Sequence, residues 1–213
     1  MKTNETIEIL VVDDNLENLQ AAKEAFKNKA VYISKAEEAI EILKKQQFSY
    51  VLTDLVMPTF SEYDENRLDE QISKRKEDLG EFWNNADESL WKRVKESGYR
   101  DSGAYIAKEA IKKGIPVAII SYLGHHSDFE WASHLLEDEF KIEWSCGGFN
   151  PKKQIAYITD ETFNKARNLG YNHIKNFKKD PEHWSKSLEL LKQSMERKEK
   201  ITYYGNEMCN ILR

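Results

Sequence analysis

Three acidic side chains follow strand-like segments of this chain of 213 residues. Asp13 and Asp14 come after the apolar segment 7–12, and Asp54 lies at the end of the segment 50–55. The carboxyl ends of neighbouring parallel strands form a crevice in which ligands bind, so we expect these acids to meet there. Carboxylates held close together repel one another and raise their own pKa values unless a cation lies between them. Oxygen ligands of this kind suit Mg²⁺, and the sequence therefore predicts a Mg²⁺ site.

The elements that would position these acids alternate between strand and helix. Short apolar runs rich in β-branched residues predict buried strands, and apolar residues at helical spacing predict helices between them. This alternation predicts an α/β fold, a doubly wound five-stranded parallel sheet with right-handed crossovers. The predicted strands are residues 7–12, 31–33, 50–55, 116–121 and 171–177, and the predicted helices are residues 15–28, 36–46, 102–113, 160–170 and 182–197.

Two longer segments interrupt this alternation, at residues 59–100 after the third strand and at residues 122–154 after the fourth. Both preceding strands end at the acidic crevice, so we hypothesise that the two insertions form a helical cap beside the acids. We expect one domain over residues 1–197 and a tail over residues 198–213. Within the insertions we predict helices at residues 68–79, 82–95 and 128–137 and a β-hairpin with arms at residues 141–146 and 154–159.

Three short motifs lie at the ends of the predicted strands. They are VVDDN at 11–15 with Asn18, LTDLVMP at 52–58, and GIPVAIIS at 114–121. Together they resemble the receiver domains of response regulators in two-component signalling. The resemblance covers about residues 7–58, 101–121 and 160–195, and it implies the flavodoxin-like receiver fold.

The resemblance implies a role for each matching residue. Asp54 would accept a phosphoryl group from a phosphohistidine on a histidine kinase or a phosphotransfer protein. Asp13 and Asp14 would hold Mg²⁺ together with the Asp54 carboxylate and the backbone carbonyl of Val56. Ser121 would donate its hydroxyl to a phosphoryl oxygen, and a lysine at the end of the fifth strand would neutralise the new charge. Phosphoryl transfer needs in-line positioning and cations around the phosphoryl oxygens, which these residue types supply.

The pocket lysine is the residue that the motifs do not place directly. In the family a Lys-Pro pair usually follows a Gly-containing turn, whereas here Gly170 is followed by several lysines before Pro181. Lys178 is our prediction for the pocket lysine, because of the number of residues that separate it from Gly170 and from the last helix. Lys175 is the alternative.

Three functions compete for this sequence. The first is a stand-alone response regulator, a Mg²⁺-dependent phosphoacceptor that relays a signal by contact with a downstream protein partner and is not a conventional enzyme. The second is an atypical receiver that binds a partner without being phosphorylated, with the insertions as its recognition surface. The third is a Mg²⁺ phosphohydrolase of the haloacid dehalogenase type. That family needs a second Asp two residues after the nucleophile, where this chain has Val56.

The composition of the chain indicates which classes of partner and which cellular compartment to expect. The net charge is -5 and the pI is about 5.7, so there is no basic excess to neutralise the phosphates of a nucleic acid. The two cysteines make no disulfide framework, which fits a reducing compartment. No segment is as apolar as a signal peptide or a membrane span, and we expect a cytoplasmic protein without membrane contact. A few possible zinc ligands lack the usual spacing, and we interpret them as surface groups and one buried thiol: His125, His126, His134 and Cys146.

Overall fold

A mostly parallel β-sheet with helices on both faces forms the centre of the computed structural model. The structure describes residues 8–82, 84–121, 140–141, 148–159, 177–196 and 201–202. Among these residues, seven strands form the sheet and two short strands, β4 and β5, form a separate antiparallel ribbon. In chain order the strands are β1 (Ile9–Val12), β2 (Ala30–Ile33), β3 (Tyr50–Thr53), β4 (Met57–Pro58), β5 (Tyr99–Arg100), β6 (Val117–Ser121), β7 (Gly148–Asn150), β8 (Ile155–Thr159) and β9 (Ile201–Thr202).

The strands of the sheet lie in the order β2-β1-β3-β6-β8-β7-β9. The first five strands in this order run parallel to one another. Beyond β8 the sheet continues with β7, which pairs antiparallel with β8, and with β9, which pairs antiparallel with β7. The prediction of an α/β fold built on a parallel sheet is therefore confirmed. The order of the five parallel strands is compatible with a flavodoxin-like fold.

Helices cover both faces of this sheet. The helices α1 and α6 pack together on one face, and α2 and α5 pack together on the other. None of the helices within the described residues has the length and apolar character of a membrane span. The described helices are α1 (Leu16–Phe26), α2 (Ala36–Lys45), α3 (Glu65–Leu79), α4 (Asn85–Ser97), α5 (Ser102–Lys112) and α6 (Pro181–Met195).

The strands are apolar throughout because both faces of the sheet are buried. In β1, Leu10 and Val12 point into the core under α2 and α5, whereas Val11 points into the core under α1 and α6. All four residues of β1 and all five of β6 are buried. Burial on both faces explains why these strands appear in the sequence as continuous apolar runs.

Side-chain caps fix where several helices begin. Asn15 accepts a hydrogen bond from the Glu17 N–H at the start of α1, and Asp180 does the same for the Glu182 N–H before α6. Asn84 and Asp87 form a capping box at the start of α4. These caps satisfy N–H groups that have no partner within the helix.

The two helices predicted in the segment 59–100 are present, but their bounds differ from the prediction. The helix α3 begins at Glu65 rather than at residue 68, because Asp64 caps it by accepting from the Asn66 N–H. The helix α4 covers Asn85–Ser97 rather than residues 82–95, because its capping box lies at Asn84. The prediction followed the apolar spacing alone, which does not include the polar first turn.

The fifth parallel strand differs from the predicted one. The strand β8 pairs parallel with β6, and it was predicted as one arm of a hairpin. It is in fact both, since β7 (Gly148–Asn150) pairs with its other edge in antiparallel fashion. Residues 142–146 of the predicted first arm lie outside the described residues. Phe177, predicted in a strand, lies in the 3-10 turn Phe177–Lys179. The rest of that predicted strand, at residues 171–176, and the predicted helices at residues 128–137 and 160–170 lie outside the described residues.

Candidate metal and phosphoacceptor site

The ends of two adjacent strands bring the three predicted acids together. In the pairing of β1 with β3, Val12 lies opposite Thr53, so the next residues, Asp13 and Asp54, leave the sheet side by side. Asp13, Asp14 and Asp54 each offer a carboxylate oxygen within 4.8 Å of the others. We call these three acids together with Lys178 the acid pocket.

Asp13 is the most tightly held member of the acid pocket. Its side chain is fully buried, with 0% exposed. The Asn15 N–H donates to its Oδ1 over 3.0 Å, and the Asn18 amide donates to Oδ1 and Oδ2 over 3.0 and 3.1 Å. The Lys178 ammonium donates to its Oδ2 over 2.8 Å. Since the first turn of α1 supplies two of these donors, the helix that follows β1 fixes the orientation of this carboxylate.

Lys178 places its ammonium group between two of the acids. Its Nζ lies 2.8 Å from Asp13 Oδ2 and 2.5 Å from Asp54 Oδ2, and only 4% of its side chain is exposed. The backbone is held as well, because the Trp184 indole N–H donates to the Lys178 carbonyl over 2.7 Å. The lysine therefore reaches the acid pocket from the turn before α6. The alternative, Lys175, lies outside the described residues.

Asp54 is fixed through both its side chain and its backbone. Its Oδ1 accepts from the Leu55 N–H over 2.7 Å, and its carbonyl accepts from the Thr53 hydroxyl over 2.9 Å. The start of α5 presses against the same backbone, since a Cβ atom at Gly103 would lie 1.8 Å from the Asp54 carbonyl oxygen. The Gly103 N–H donates to the Leu55 carbonyl over 3.0 Å. Only glycine fits at this position without movement of the backbone at Asp54 and Leu55.

Charges in the acid pocket are unequal, because three carboxylates face one ammonium group. Burial raises the pKa of Asp54 to about 7, and the attraction of Lys178 offsets burial only in part. Burial and the nearby Asp13 also raise the pKa of Asp14. Burial alone would lower the pKa of Lys178, but Asp54 and Asp13 together outweigh it and raise that pKa. The pocket therefore favours additional positive charge.

The other two predicted site residues lie at the same edge of the sheet. Ser121 is the last residue of β6, the strand next to β3, and is buried opposite Thr159 of β8. Val56 is the second residue after Asp54, in the loop that leads to β4. Ser121 is two residues beyond Ile119, the partner of Thr53, so Ser121 and Val56 both lie beyond the carboxyl end of β3.

Tyr99 is a member of this site that the sequence did not reveal. Asp14 raises the pKa of the Tyr99 hydroxyl, so the two groups lie close together, although Tyr99 comes from the segment 59–100. The ribbon places it there, because Tyr99 pairs with Pro58 in the loop beyond Asp54. A tyrosine in a polar segment gives no local signal of such a contact. The helical-cap hypothesis is otherwise untested, since residues 122–139 lie outside the described residues.

A second buried ionic group anchors the segment 59–100 to α5. Asp101, fully buried, accepts from the Tyr63 hydroxyl over 2.5 Å and lies 3.0 Å from Arg67 Nη2. We call these three residues the Asp101 cluster. Burial raises the pKa of Asp101, and Arg67 opposes that shift. Close by, Arg100 donates to the Glu65 carboxylate over 3.0 Å. The start of α3 is thus joined to the start of α5, the helix that touches the Asp54 backbone.

The donor set of the acid pocket fits a hard divalent cation. Within the described residues, the carboxylates of Asp13, Asp14 and Asp54 form the group whose oxygens are close enough to share a metal ion. Oxygen-only ligands around an accessible position suit Mg²⁺, which keeps several water ligands. The histidines and the cysteine considered for zinc lie outside the described residues.

No family model matches this chain, and no curated protein matches it either. The proposal for its function therefore rests on the residues of the acid pocket and on their geometry.

Proposed function

We propose that this chain is a receiver-type phosphoacceptor that carries a signal through Mg²⁺-dependent phosphorylation of Asp54. One observation carries the proposal: Asp13, Asp54 and Lys178, from three distant segments, meet with Nζ-to-oxygen distances of 2.8 and 2.5 Å. Burying an ammonium group is costly, so its placement against two carboxylates indicates a selected site rather than a chance surface pair. A structural ion pair would need only one of these acids.

The proposed reaction is the transfer of a phosphoryl group from a phosphohistidine. A carboxylate oxygen of Asp54 forms a bond to phosphorus while the P–N bond breaks, and the imidazole nitrogen keeps the electron pair. Mg²⁺, when bound by Asp13, Asp14, Asp54 and the Val56 carbonyl, supplies positive charge beside the phosphoryl oxygens.

The protein's own groups position the reacting atoms. The Leu55 N–H holds Oδ1 of Asp54, and the Lys178 ammonium lies against Oδ2, where it neutralises charge that arrives with the phosphoryl group. Ser121, at the end of the neighbouring strand, supplies a hydroxyl to a phosphoryl oxygen. Because the pKa of Asp54 is about 7 without a cation, nearby positive charge also favours the ionised nucleophile.

The fold supports the same proposal at a coarser level. We infer that the parallel strands β2, β1, β3, β6 and β8 are the five strands of a receiver domain, within a single domain over residues 1–197. The segments 59–100 and 122–154 are then insertions in that domain. Its partners would be a histidine kinase or phosphotransfer protein and a downstream protein, in the cytoplasm. The net charge of -5 gives no support to a nucleic-acid partner.

Mass spectrometry after incubation with acetyl phosphate tests the proposal. With Mg²⁺ present, the wild type gains the mass of one phosphoryl group, and neither Asp54→Ala nor wild type in excess EDTA gains it. Asp78→Ala is the matched control, because Asp78 is an exposed aspartate at the far end of α3. A mass gain in Asp54→Ala, or none in wild type with Mg²⁺, would contradict the proposal.

One observation favours the second candidate, a receiver that works without phosphorylation. Lys178 already forms ion pairs with Asp13 and Asp54, so the acid pocket has an internal cation. In that case a partner protein would bind Asp54→Asn as tightly as it binds the wild type. The labelling experiment separates the two candidates, because only the first requires a phosphoryl group on Asp54.

A further inference from the structure

Lys178 is carried by the single 3-10 turn Phe177–Lys179, which we call the lysine turn. A lysine side chain is a flexible stem, so its ammonium stays between two carboxylates only if the backbone beneath it is fixed. The ammonium lies 2.8 Å from Asp13 Oδ2 and 2.5 Å from Asp54 Oδ2. Misplacement of a reacting group by about 1 Å can lower a rate by about a hundredfold. The position of the lysine turn therefore matters for the proposed reaction.

Trp184 holds the lysine turn from the start of α6. Its indole N–H donates to the Lys178 carbonyl over 2.7 Å, and the ring is 1% exposed. Phe177, the first residue of the turn, lies in the same buried cluster as Trp184, under α1 and α6. A hydrogen bond in the interior is stronger than one in water, because the local dielectric constant is low. The carbonyl that this buried donor fixes is that of the pocket lysine.

Other contacts of the lysine turn are local or exposed. Lys179 forms an ion pair with Glu17 of α1, but these side chains are 41% and 68% exposed, and ion pairs at the surface contribute little. The Asp180 N–H donates to the Phe177 carbonyl over 3.2 Å, and the Asp180 side chain caps α6. These two bonds close the turn onto α6, whereas the indole bond reaches the carbonyl of the lysine itself.

We propose that Trp184 is a positioning residue for phosphoryl transfer, because its indole holds the Lys178 backbone where the ammonium meets both Asp13 and Asp54. The inference rests on the proposed function, since it assigns Trp184 a role in the phosphorylation of Asp54. Trp184 acts through Lys178 and not on the reacting atoms. An ammonium that is already in place stabilises the charge arriving with the phosphoryl group without reorganisation during the reaction. Loss of the indole N–H leaves the lysine present but less often in position.

The reactivity of the Lys178 amine tests the positioning without any phosphoryl group. Acetic anhydride acetylates exposed lysines quickly, whereas Lys178, with 4% of its side chain exposed and two acids in contact, should react slowly. In full-length Trp184→Phe we expect this rate, followed by mass spectrometry of the digested protein, to rise by about three- to tenfold, which corresponds to one ordinary hydrogen bond. The neighbouring Lys179, 41% exposed, is the internal reference, and its rate should stay unchanged.

Two further variants separate the hydrogen bond from a general loss of packing. Trp91→Phe removes the same atoms from the buried cluster under α2 and α5, where Trp91 is 8% exposed, and Lys178 should react in it as in wild type. Benzothienylalanine at position 184, introduced at a stop codon, has sulfur in place of the indole N–H and keeps the size and shape of the ring. It should raise the reactivity of Lys178 as Trp184→Phe does, and it decides the question if Trp184→Phe does not fold.

Labelling of Asp54 by acetyl phosphate with Mg²⁺ gives the functional reading. The rate constant of labelling should fall by about three- to tenfold in both variants at position 184, because the Lys178 ammonium is in place for a smaller fraction of the time. Trp91→Phe should be labelled at the rate of wild type. A buried indole needs an acceptor in any case, but a role confined to satisfying it would leave both the lysine reactivity and the labelling rate unchanged.

The outcomes distinguish this inference from the function on which it rests. Unchanged reactivity of Lys178 in both variants at position 184, or faster acetylation without slower labelling of Asp54, overturns the positioning role and leaves the phosphoacceptor standing. An equal rise in Trp91→Phe also overturns it, because the effect would then reflect packing in general. Absence of labelling in wild type overturns the proposed function and the role in phosphoryl transfer with it, whereas the acetylation rates still show whether the indole holds the ammonium in place.

Discussion

The acid pocket and the Asp101 cluster are two buried groups of charge near the start of α5. Gly103 is two residues after Asp101, and its N–H donates to the carbonyl of Leu55, the residue after Asp54. Each group places a carboxylate in the interior with a cation in contact. In the Asp101 cluster one carboxylate has one guanidinium at 3.0 Å and one tyrosine hydroxyl at 2.5 Å. In the acid pocket three carboxylates share the single ammonium of Lys178.

The two groups differ in their balance of charge. In the Asp101 cluster the charges balance, so removing the carboxylate leaves Arg67 without its buried partner and costs stability. In the acid pocket the negative charge is in excess, so added positive charge or a removed carboxylate relieves repulsion. Removal of one carboxylate should therefore change the stability of the protein in opposite directions in the two groups.

The largest effect is expected from the Asp101 cluster. Asp101→Ala removes the ion-pair partner of Arg67 and the acceptor of the Tyr63 hydroxyl, and breaking such a buried pair lowers the free energy of unfolding by about 3–5 kcal/mol. Urea denaturation followed by circular dichroism measures the change. Asp78→Ala, at an exposed position of α3, should stay within about 0.5 kcal/mol of wild type. If Asp101→Ala lost under 1 kcal/mol of the free energy of unfolding, the expected difference between the two groups would be contradicted.

Divalent cation should stabilise the protein through the acid pocket and not through the Asp101 cluster. At a Mg²⁺ concentration of about 100 times Kd, the free energy of unfolding of wild type should rise by about 2.7 kcal/mol. Tyr63→Phe, which alters only the Asp101 cluster, should show the same gain, whereas Asp14→Asn should show little. Thermal unfolding with MgCl₂ or EDTA measures both, and an equal gain in all three proteins would point to another cation site.

Gly103 joins the two groups, and its substitution should disturb both. Gly103→Ala places a methyl group where the Asp54 carbonyl oxygen would be 1.8 Å away, so α5 or the backbone at Asp54 and Leu55 must shift. We expect a loss of about 2 kcal/mol in the free energy of unfolding, as for other overpacked sites. Phosphoryl labelling of Asp54 should also decrease. Stability and labelling equal to those of wild type would show that the contact is unimportant.

The smallest effect is expected from the charge of Asp54 itself, measured without divalent cation. Its pKa is about 7 in the fold against 3.8 for the ordinary side chain, so the folded protein holds the proton more tightly. Its contribution to stability is then present below about pH 4 and is lost as the pH rises through about 7. Asp54→Asn removes this dependence and should be more stable than wild type at pH 8.

The expected gain of Asp54→Asn at pH 8 is about 1 kcal/mol. This is less than the difference between the two pKa values converted at about 1.4 kcal/mol per unit, because the side chain is 14% exposed and solvent screens its charge. Urea denaturation of both proteins in EDTA at pH 4 and at pH 8 measures it. If the wild type instead became more stable relative to Asp54→Asn between pH 4 and pH 8, the prediction would be contradicted.

Part of the sheet and of the acid pocket can be predicted from local sequence. The apolar runs that form β1, β3 and β6 are buried on both faces, and such runs identify central parallel strands without knowledge of their neighbours. Asp13 and Asp54 follow two of these strands directly, so their meeting follows from the topology alone. The position of Lys178 was chosen from its spacing to the last helix, and the structure places its ammonium against both acids.

Other parts depend on contacts between distant segments, which spacing does not show. The strand β8 has the apolar run of a central strand, but a glycine-rich turn precedes it and led to the prediction of a hairpin alone. Its parallel partner β6 is separated from it by a long segment. Tyr99 reaches Asp14 only because the ribbon returns the segment 59–100 to the loop beyond Asp54. The sequence does not distinguish Gly103 from the other glycines, of which the chain has nine in total. Its importance follows from the fold, which brings the Asp54 carbonyl against it.

Trp184 gives the molecule an internal optical reporter. Its indole N–H donates to the Lys178 carbonyl, and the ring is 1% exposed, so its emission depends on the segment that carries the pocket lysine. Replacing the other four tryptophans, Trp83, Trp91, Trp131 and Trp144, by phenylalanine would leave this single fluorophore. A change in its emission when acetyl phosphate is mixed with the protein in a stopped-flow instrument would then follow the lysine in real time.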